Sequence, residues 1–381
     1  MEQDELVIER LNIPAGRRII AISDIHGRSD LFTKLLKKAK FSAQDELILV
    51  GDLCEKGPDS LGVVRRAMEL VKAGNAHVVM GNCDTVWAEF LSGEKDVTLP
   101  AYLKEQIRFG GDLIFDFARE LFPDGRELTL EKLWDRLFPD GSVDRPEWEQ
   151  FRLDACAAFA EELEFLSTRP HIIETEEFLF AHAGINQPVL EENSPWEVMK
   201  NDRFVEKGMS FPKYLIVGHW PVQGYCAKIT YGMPRVNSRQ MIISIDGGIQ
   251  LKLGGQLNAL LLEGPEHISH VSIDDLPKIP VYGVQEGSSN PFSIVWHENA
   301  VEVLEWGEEF TLCRQKSSGR EFWSATNQLE KWGDGWHCYD GTNYWLPVRA
   351  GNTVSLIERF SDRSLCKHRG RIGWIANRIL F

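Results

Sequence analysis

Three short, largely apolar runs constrain the fold of this 381-residue chain more than any other feature. They are Ile19-Ile20-Ala21-Ile22, Leu47-Ile48-Leu49-Val50 and His77-Val78-Val79-Met80. Each has strand length and suits a strand buried on both faces. Amphipathic stretches separate them. After Ser29, a candidate N-cap, Leu31, Phe32, Leu35 and Leu36 share one helical face. Over residues 60–73, Leu61, Val64, Met68 and Val71 share another, and Gly74-Asn75 ends it. This alternation predicts βαβαβ, with parallel strands and right-handed crossovers. In such sheets ligands bind beyond the carboxyl ends of the strands.

A polar turn follows each run. The turns are Ser23-Asp24-Ile25-His26-Gly27, Gly51-Asp52-Leu53-Cys54-Glu55-Lys56-Gly57-Pro58 and Gly81-Asn82-Cys83-Asp84. The same arrangement returns after residue 170. Phe178–Ala181 leads into His182-Ala183-Gly184, Tyr214–Val217 into Gly218-His219, and Met241–Ile245 into Asp246-Gly247-Gly248. With Leu257–Leu262, these later strands are expected to form a second sheet packed on the first. Helical periodicity fills residues 85–170, over Tyr102–Leu121, Leu128–Phe138 and Phe151–Leu166. Leu-Phe-Pro-Asp-Gly occurs at 121–125 and again at 137–141, and reads as two helix stops. Directly after the third turn, this insertion is expected to form a helical cap over or beside the turns.

From about Pro277 the composition changes: seven of the twelve tryptophans lie beyond residue 290, among short strand-like runs. The expected organisation is residues 1–276 as one α/β domain, with 85–170 inserted, and 277–381 as a small all-β barrel. A net charge of −15 argues against nonspecific nucleic-acid binding. Seven cysteines at irregular spacing do not suggest a disulfide framework. No run is long enough to span a bilayer, and the acidic start Met1-Glu2-Gln3-Asp4-Glu5 lacks the character of a signal peptide. A cytoplasmic, non-membrane protein is therefore expected.

Asp24, His26, Asp52, Asn82, His182 and His219 all stand at strand ends. Phosphoryl transfer to water profits from two divalent metals, which need carboxylate, imidazole and amide ligands, one carboxylate bridging. Singly, each residue reads as an ordinary turn residue. Together, in five ordered turns, they match that chemistry.

These stretches resemble the metallophosphoesterase (calcineurin-like) superfamily, and within it the phosphoprotein-phosphatase type, which includes bacterial diadenosine-polyphosphate hydrolases. The family pattern GDxHG, GDxxDRG, GNHE, HAG, GH corresponds here to residues 23–27, 51–60, 81–84, 182–184 and 218–219. The resemblance covers roughly residues 17–262 apart from the cap. It implies an αββα sandwich of two sheets and two divalent ions, Mn, Fe or Zn. Asp24 and His26 would hold the first ion, Asn82, His182 and His219 the second, and Asp52 would bridge. A bridging hydroxide would attack a phosphomonoester, in a phosphoprotein or a small molecule, or a phosphodiester. Trp220-Pro221 after His219 excludes the GHxH form of related enzymes.

Three departures stand out. Glu55-Lys56 replaces the Asp-Arg pair, leaving Lys56 to meet a phosphate as a point charge. Asp84 replaces a glutamate. Cys83 replaces the histidine that protonates the leaving group in the family, and GNCD resembles the third motif of small bacterial phosphodiesterases. Cys83 is thus a weak general acid, a mark of substrates with good leaving groups, or the relic of a weakened enzyme; a carboxylate nearby, Glu55 being the candidate, would keep its thiol neutral. Glu55, Lys56 and Cys83 are the candidate catalytic residues. Lys56, Asn82 and Arg203 are the candidates for phosphate, with Arg28 and Lys200 as further cations. The C-terminal region resembles a bacterial SH3-like domain over Val354–Ile375, and Lys367, His368, Arg369 and Arg371 offer a surface for a peptide, a glycan or another subunit. The competing reading is a phosphate-binding protein that recruits a partner through that region.

Overall fold

The computed structural model describes every residue except 1–4, 15, 92, 94 and 95, together with the side chains of 86 and 88–90. The acidic start of the chain, residues 1–4, lies outside the described residues. Two compact units are formed. The first takes residues 1–220, 234–251 and 257–273; the second takes 221–233, 252–256 and 274–381.

In the first unit the strands are β1 (Ile8–Arg10), β2 (Ile19–Ile22), β3 (Glu46–Val50), β4 (Ala76–Val79), β5 (Ile172–Glu174), β6 (Phe178–Ala181), β7 (Tyr214–Val217), β8 (Arg235–Asn237), β9 (Ile242–Ser244), β10 (Leu257–Leu262) and β11 (Ile268–Ile273). They build two sheets, ordered β11-β10-β2-β3-β4 and β1-β5-β6-β7-β9-β8. β2, β3 and β4 are parallel neighbours, with Ile20 opposite Leu47 and Leu49 opposite Val78. Helices α1 (Ser29–Lys38) and α2 (Ser60–Lys72) supply the crossovers. In the second sheet β6, β7 and β9 are parallel, so the turns after them leave at one edge.

Strand alternation divides the core. Ile20, Ile22, Leu47 and Leu49 join the helices in one cluster. Ile19, Ala21, Ile48 and Val50 meet Phe178, Phe180, Ile216 and Ile243 in another, between the sheets. β10 corrects one expectation. It lies in the first sheet, antiparallel to β2 with Leu260 opposite Ala21. Its alternation requires this, because Leu257 and Ala259 belong to the helix-side cluster and Leu260 and Leu262 to the inter-sheet one. Ser29 is the first residue of α1 rather than its cap, and its hydroxyl donates to Asp59. Asp59 in turn caps α2 by accepting from Gly62 N at 3.1 Å.

The insertion is helical: α3 (Asn82–Leu91), α4 (Leu99–Gln106), α5 (Leu113–Leu121), α6 (Leu130–Leu137), α7 (Pro146–Ala158) and α8 (Ala160–Ser167). The stretch read as one helix over Tyr102–Leu121 is broken at Gly110-Gly111, where φ is 122° and 140° and Asp112 caps a new start. Phe151–Leu166 is likewise split, near Phe159. α5 and α6 stop at Leu121 and Leu137, where the Pro-Asp-Gly stops begin. A last short helix, α9, covers Pro195–Met199. No helix among the described residues is long and apolar enough to cross a membrane.

The second unit is all β. Its strands are β12 (Lys278–Pro280), β13 (Ala300–Glu305), β14 (Phe310–Gln315), β15 (Glu321–Ala325), β16 (Leu329–Trp332), β17 (Gly335–Cys338), β18 (Thr353–Arg359), β19 (Arg363–His368) and β20 (Arg371–Ala376). They form antiparallel sheets ordered β12-β18-β19-β20 and β15-β14-β13-β17-β16. Trp374 is buried, whereas Trp296, Trp306, Trp323 and Trp332 are exposed. All seven cysteines are free.

Leu49 is fully buried in the central β3. Leu49→Ala is expected to cost about 2–5 kcal/mol, read as a lower urea midpoint at unchanged slope.

Candidate metal centre

The turns after β2, β3, β6, β7 and β9, and the first residues of α3, converge. To do so, Asp24, His26, Asp52 and His219 adopt left-handed backbone, with φ of 51°, 46°, 52° and 63°. Such residues cost roughly 1–3 kcal/mol each and persist only where their surroundings hold them. Here the turns are stitched to one another. Asp24 N donates to Gly51 O at 3.0 Å, His26 N to Asp52 O at 3.1 Å, and Gly218 N to His182 O at 2.8 Å. The Asp24 carboxylate accepts His219 N at 3.0 Å. Glycine is required where the turns touch: a Cβ on Gly51 would stand 2.5 Å from His182 Nδ1. Asp84, buried at the start of α3, accepts from Leu53 N (2.8 Å), Cys54 N (3.2 Å) and Gly81 N (3.1 Å), and so ties the second turn to the third.

Asp52 stands at the middle. Its Oδ1 lies 3.3 Å from His182 Nε2 and accepts Cys83 N at 3.0 Å, while Oδ2 lies 3.8 Å from His26 Nε2. It belongs to two groups of mutually close donors: His26, Asp52 and Cys83, and Asp52, His182 and His219. Asp24 Oδ1 is 4.0 Å from His26 Nε2. The Asn82 amide sits 3.3 Å from His182 Nε2 and 3.0 Å from His219 Nδ1. The structure thus gathers all six sequence candidates, four of them at 1–3% exposure or less.

The donors fit a cation. His182 Nδ1 donates to Val50 O at 2.9 Å and His26 Nδ1 to Cys54 O at 3.0 Å, which leaves both Nε2 atoms as lone-pair donors facing inward. His26 Nε2 is buried with no hydrogen-bond partner. With its oxygen turned to the two rings, Asn82 would add a third lone pair for a cation; with its NH2 turned there, it donates to both rings instead. Asp202 Oδ1 lies 2.8 Å from His219 Nε2, so that Nδ1 faces Asn82. Without a cation, protons take up the charge. Burial and then Asp246 push the Asp24 carboxyl well up. Burial opposes charge on His182, yet Asp52 and Asp24 hold it up at about 10.

A second cluster borders this one. Lys56 Nζ lies 3.2 Å from Cys83 Sγ and 3.3 Å from Glu55 Oε2. Burial works against the ammonium, but its contact with Cys83 Sγ and the carboxylates of Glu55 and Asp52 keep it protonated. Burial, then Asp52 and Glu55, push the Cys83 thiol well up. The cap reaches in: the Tyr102 hydroxyl bonds Glu55, and Gln250 Nε2 donates to Lys56 O (3.0 Å) and to Phe109 O (2.7 Å). Gln250 Oε1 also accepts from Arg28 at 3.2 Å. Arg203 is occupied otherwise, its guanidinium paired with Glu206 at 2.5 Å. The cation beside His219 is Lys200, at 3.3 Å from Nε2. Asp246, Asp202, Tyr102 and Gln250 are additions to the sequence reading. Asp246 was detectable, since it follows an apolar run as the other turn residues do; its Oδ2 is buried without a partner. The other three carry no local signal.

Asp84→Ala leaves three buried amide donors unsatisfied. A loss of about 2–5 kcal/mol is expected in denaturant unfolding.

Known proteins are similar to parts of this chain. A symmetrical bis(5'-nucleosyl)-tetraphosphatase of Buchnera aphidicola is 40% identical over 88 residues, 23% of this chain and 32% of that protein. Serine/threonine-protein phosphatase 1 of Salmonella typhimurium is 36% identical over 63 residues, 16% of this chain and 29% of its own. The chain thus spans about a third of the length of these curated relatives. A protein serine/threonine phosphatase structure from Saccharomyces cerevisiae, 10% identical, overlays on 72% of this chain and 85% of its own with a TM-score of 0.42. The family model described as calcineurin-like phosphoesterase matches residues 17–230, more than half of the chain and the span that carries five of the six gathered turns, and the chain belongs to that family.

Proposed function

We propose that the chain is a metal-dependent phosphoesterase with a dinuclear centre built on Asp52. The observation that carries this reading is the sharing of Asp52 between the His26 and the His182–His219 donor groups. Asp24 and His26 would hold one ion, Asn82, His182 and His219 the other. Two divalent cations, when bound, supply Lewis-acid stabilisation of a phosphoryl group and acidify water to a nucleophile at neutral pH. The protein's own residues do the rest. Asp202 orients His219, and the carbonyls of Val50 and Cys54 orient His182 and His26. Lys56, permanently charged beside Cys83, meets a phosphoryl oxygen as a point charge.

Departure of the leaving group decides the substrate class. The Cys83 thiol is buried and held well above its usual pKa, so it supplies little acid catalysis. A phosphoanhydride or an aryl ester, whose leaving group departs as a stable anion, needs none. This supports a phosphorylated substrate with a good leaving group, a dinucleoside polyphosphate first, over an alkyl monoester such as phosphoserine.

The test is turnover in defined Mn²⁺, Fe²⁺ or Zn²⁺. Metal-stimulated hydrolysis of bis(p-nitrophenyl) phosphate and of a dinucleoside tetraphosphate is expected, faster than that of a phosphoserine peptide, and abolished by Asp52→Asn. Absence of turnover with every metal overturns the reading. Cys83→His is expected to raise the rate on the alkyl monoester by roughly 10²-fold, the low end for a positioned general acid. An unchanged rate would show that proton donation is not limiting.

A further inference from the structure

The second unit carries a cleft of about 480 Å³ whose rim is basic. Arg349, His368, Arg369 and Arg371 line it, with Glu286 as the one acidic residue among the lining. The size is that of a small-molecule site. By sequence Lys367 groups with His368, Arg369 and Arg371, but Lys367 turns inward. It is 4% exposed, pairs with Asp274 at 2.6 Å and donates to Gly254 O at 2.9 Å. The three arginines of the cleft differ from two other arginines of the unit. Arg314 is paired with Glu302 and Glu321, and Arg363 with Asp362. Among the described residues, no carboxylate lies within 4.0 Å of the guanidinium groups of Arg349, Arg369 or Arg371, and none of these groups donates a hydrogen bond.

The basic side chains are also held together by the backbone. His368 and Arg371 are directly opposed in the β19–β20 register, with Arg369-Gly370 as the turn between them. The turn is fixed on two sides: Arg369 and Gly370 hold φ of 49° and 75°, and Gly370 packs against Met233 so closely that a Cβ would collide with it. The opposite wall is fixed by Gln285. Its amide donates to Leu346 O (2.8 Å) and Trp374 O (2.9 Å), and its oxygen accepts Ala376 N (3.0 Å). His368 Nδ1 donates to Thr353 O at 3.2 Å, which fixes the ring at the rim. Asn352 Oδ1 is taken by Arg349 N, leaving its amide hydrogens. A rigid cleft that concentrates unpaired guanidinium groups, in a chain of net charge −15, is built for a multiply charged anion.

We propose that this cleft is a binding site, separate from the metal centre, for a small ligand bearing two or more linked phosphates. Planar guanidinium forks match phosphate oxygens in pairs, and three of them exceed what one carboxylate can use. Free polyphosphate and the phosphates of a nucleotide present the same chemistry.

The experiment is titration calorimetry on the full chain, dialysed against a chelator, with tripolyphosphate, ATP and citrate as probes. Saturable tripolyphosphate binding is expected, weakened by salt and weakened about tenfold or more by Arg369→Glu with Arg371→Glu. Both positions are exposed, so unfolding of these variants is not expected; circular dichroism checks it, and Arg349→Glu gives an independent reading. Tighter binding of ATP than of tripolyphosphate assigns the ligand to nucleotides, and equal binding assigns it to free polyphosphate. No saturable binding overturns the proposal, as does binding that survives all three substitutions. Binding lost in Lys56→Met but kept in the arginine variants also overturns it, because the anion then sits at the metal centre. A preference for citrate overturns the phosphate assignment.

Discussion

Everything in the first unit is arranged around one buried carboxylate that two sets of donors share. Asp52 meets His182 on one side and His26 on the other, and takes Cys83 N as well. Such a group would be a liability without cations, since burying charge is expensive and nearby carboxylates repel. Asp24, Asp84 and Asp246 are all buried close by, and burial pushes each of them up, the last two to about 7. Left-handed backbone at four of the six donors adds further cost. The sandwich core bears this: β2, β3 and β4 are buried on both faces, and their turns are cross-linked by amide-to-carbonyl bonds before any side chain is considered.

The insertion is part of that arrangement. Arg119 donates to Pro58 O and Asp116 accepts from Leu61 N, so the cap braces the segment that carries Glu55 and Lys56. Glu55 and Lys56 are consecutive left-handed residues, with φ of 67° and 63°. Tyr102 and Gln250 hold their side chain and carbonyl from two directions. In this chain Glu55 and Lys56 are therefore placed jointly by the sandwich and the cap.

Much of this was legible from residue order. The parallel β2-β3-β4 core and the six donors follow from short apolar runs that each end in a polar turn, because both signals are local. What failed was non-local. Leu257–Leu262 reads as a buried strand in either sheet, and only the opposed partners of its alternating residues assign it to β2. Arg203 is preferred to Lys200 in sequence, yet Arg203 pairs with Glu206, while Lys200 pairs with Asp202 beside His219. Lys367 looks like a member of a basic surface cluster, yet strand alternation on β19 turns it inward to Asp274. The break at Gly110-Gly111 was visible as a glycine pair and was overridden by the helical periodicity around it.

The proposed dinuclear centre needs Asp52 as a ligand shared by two ions. Anomalous diffraction from crystals of the full chain grown with Mn²⁺ tests this directly. Two peaks are predicted, one against Asp24 and His26 and one against Asn82, His182 and His219, each within bonding distance of Asp52 and about 3.5–4 Å apart. A single peak, or two peaks that do not share Asp52, would contradict it.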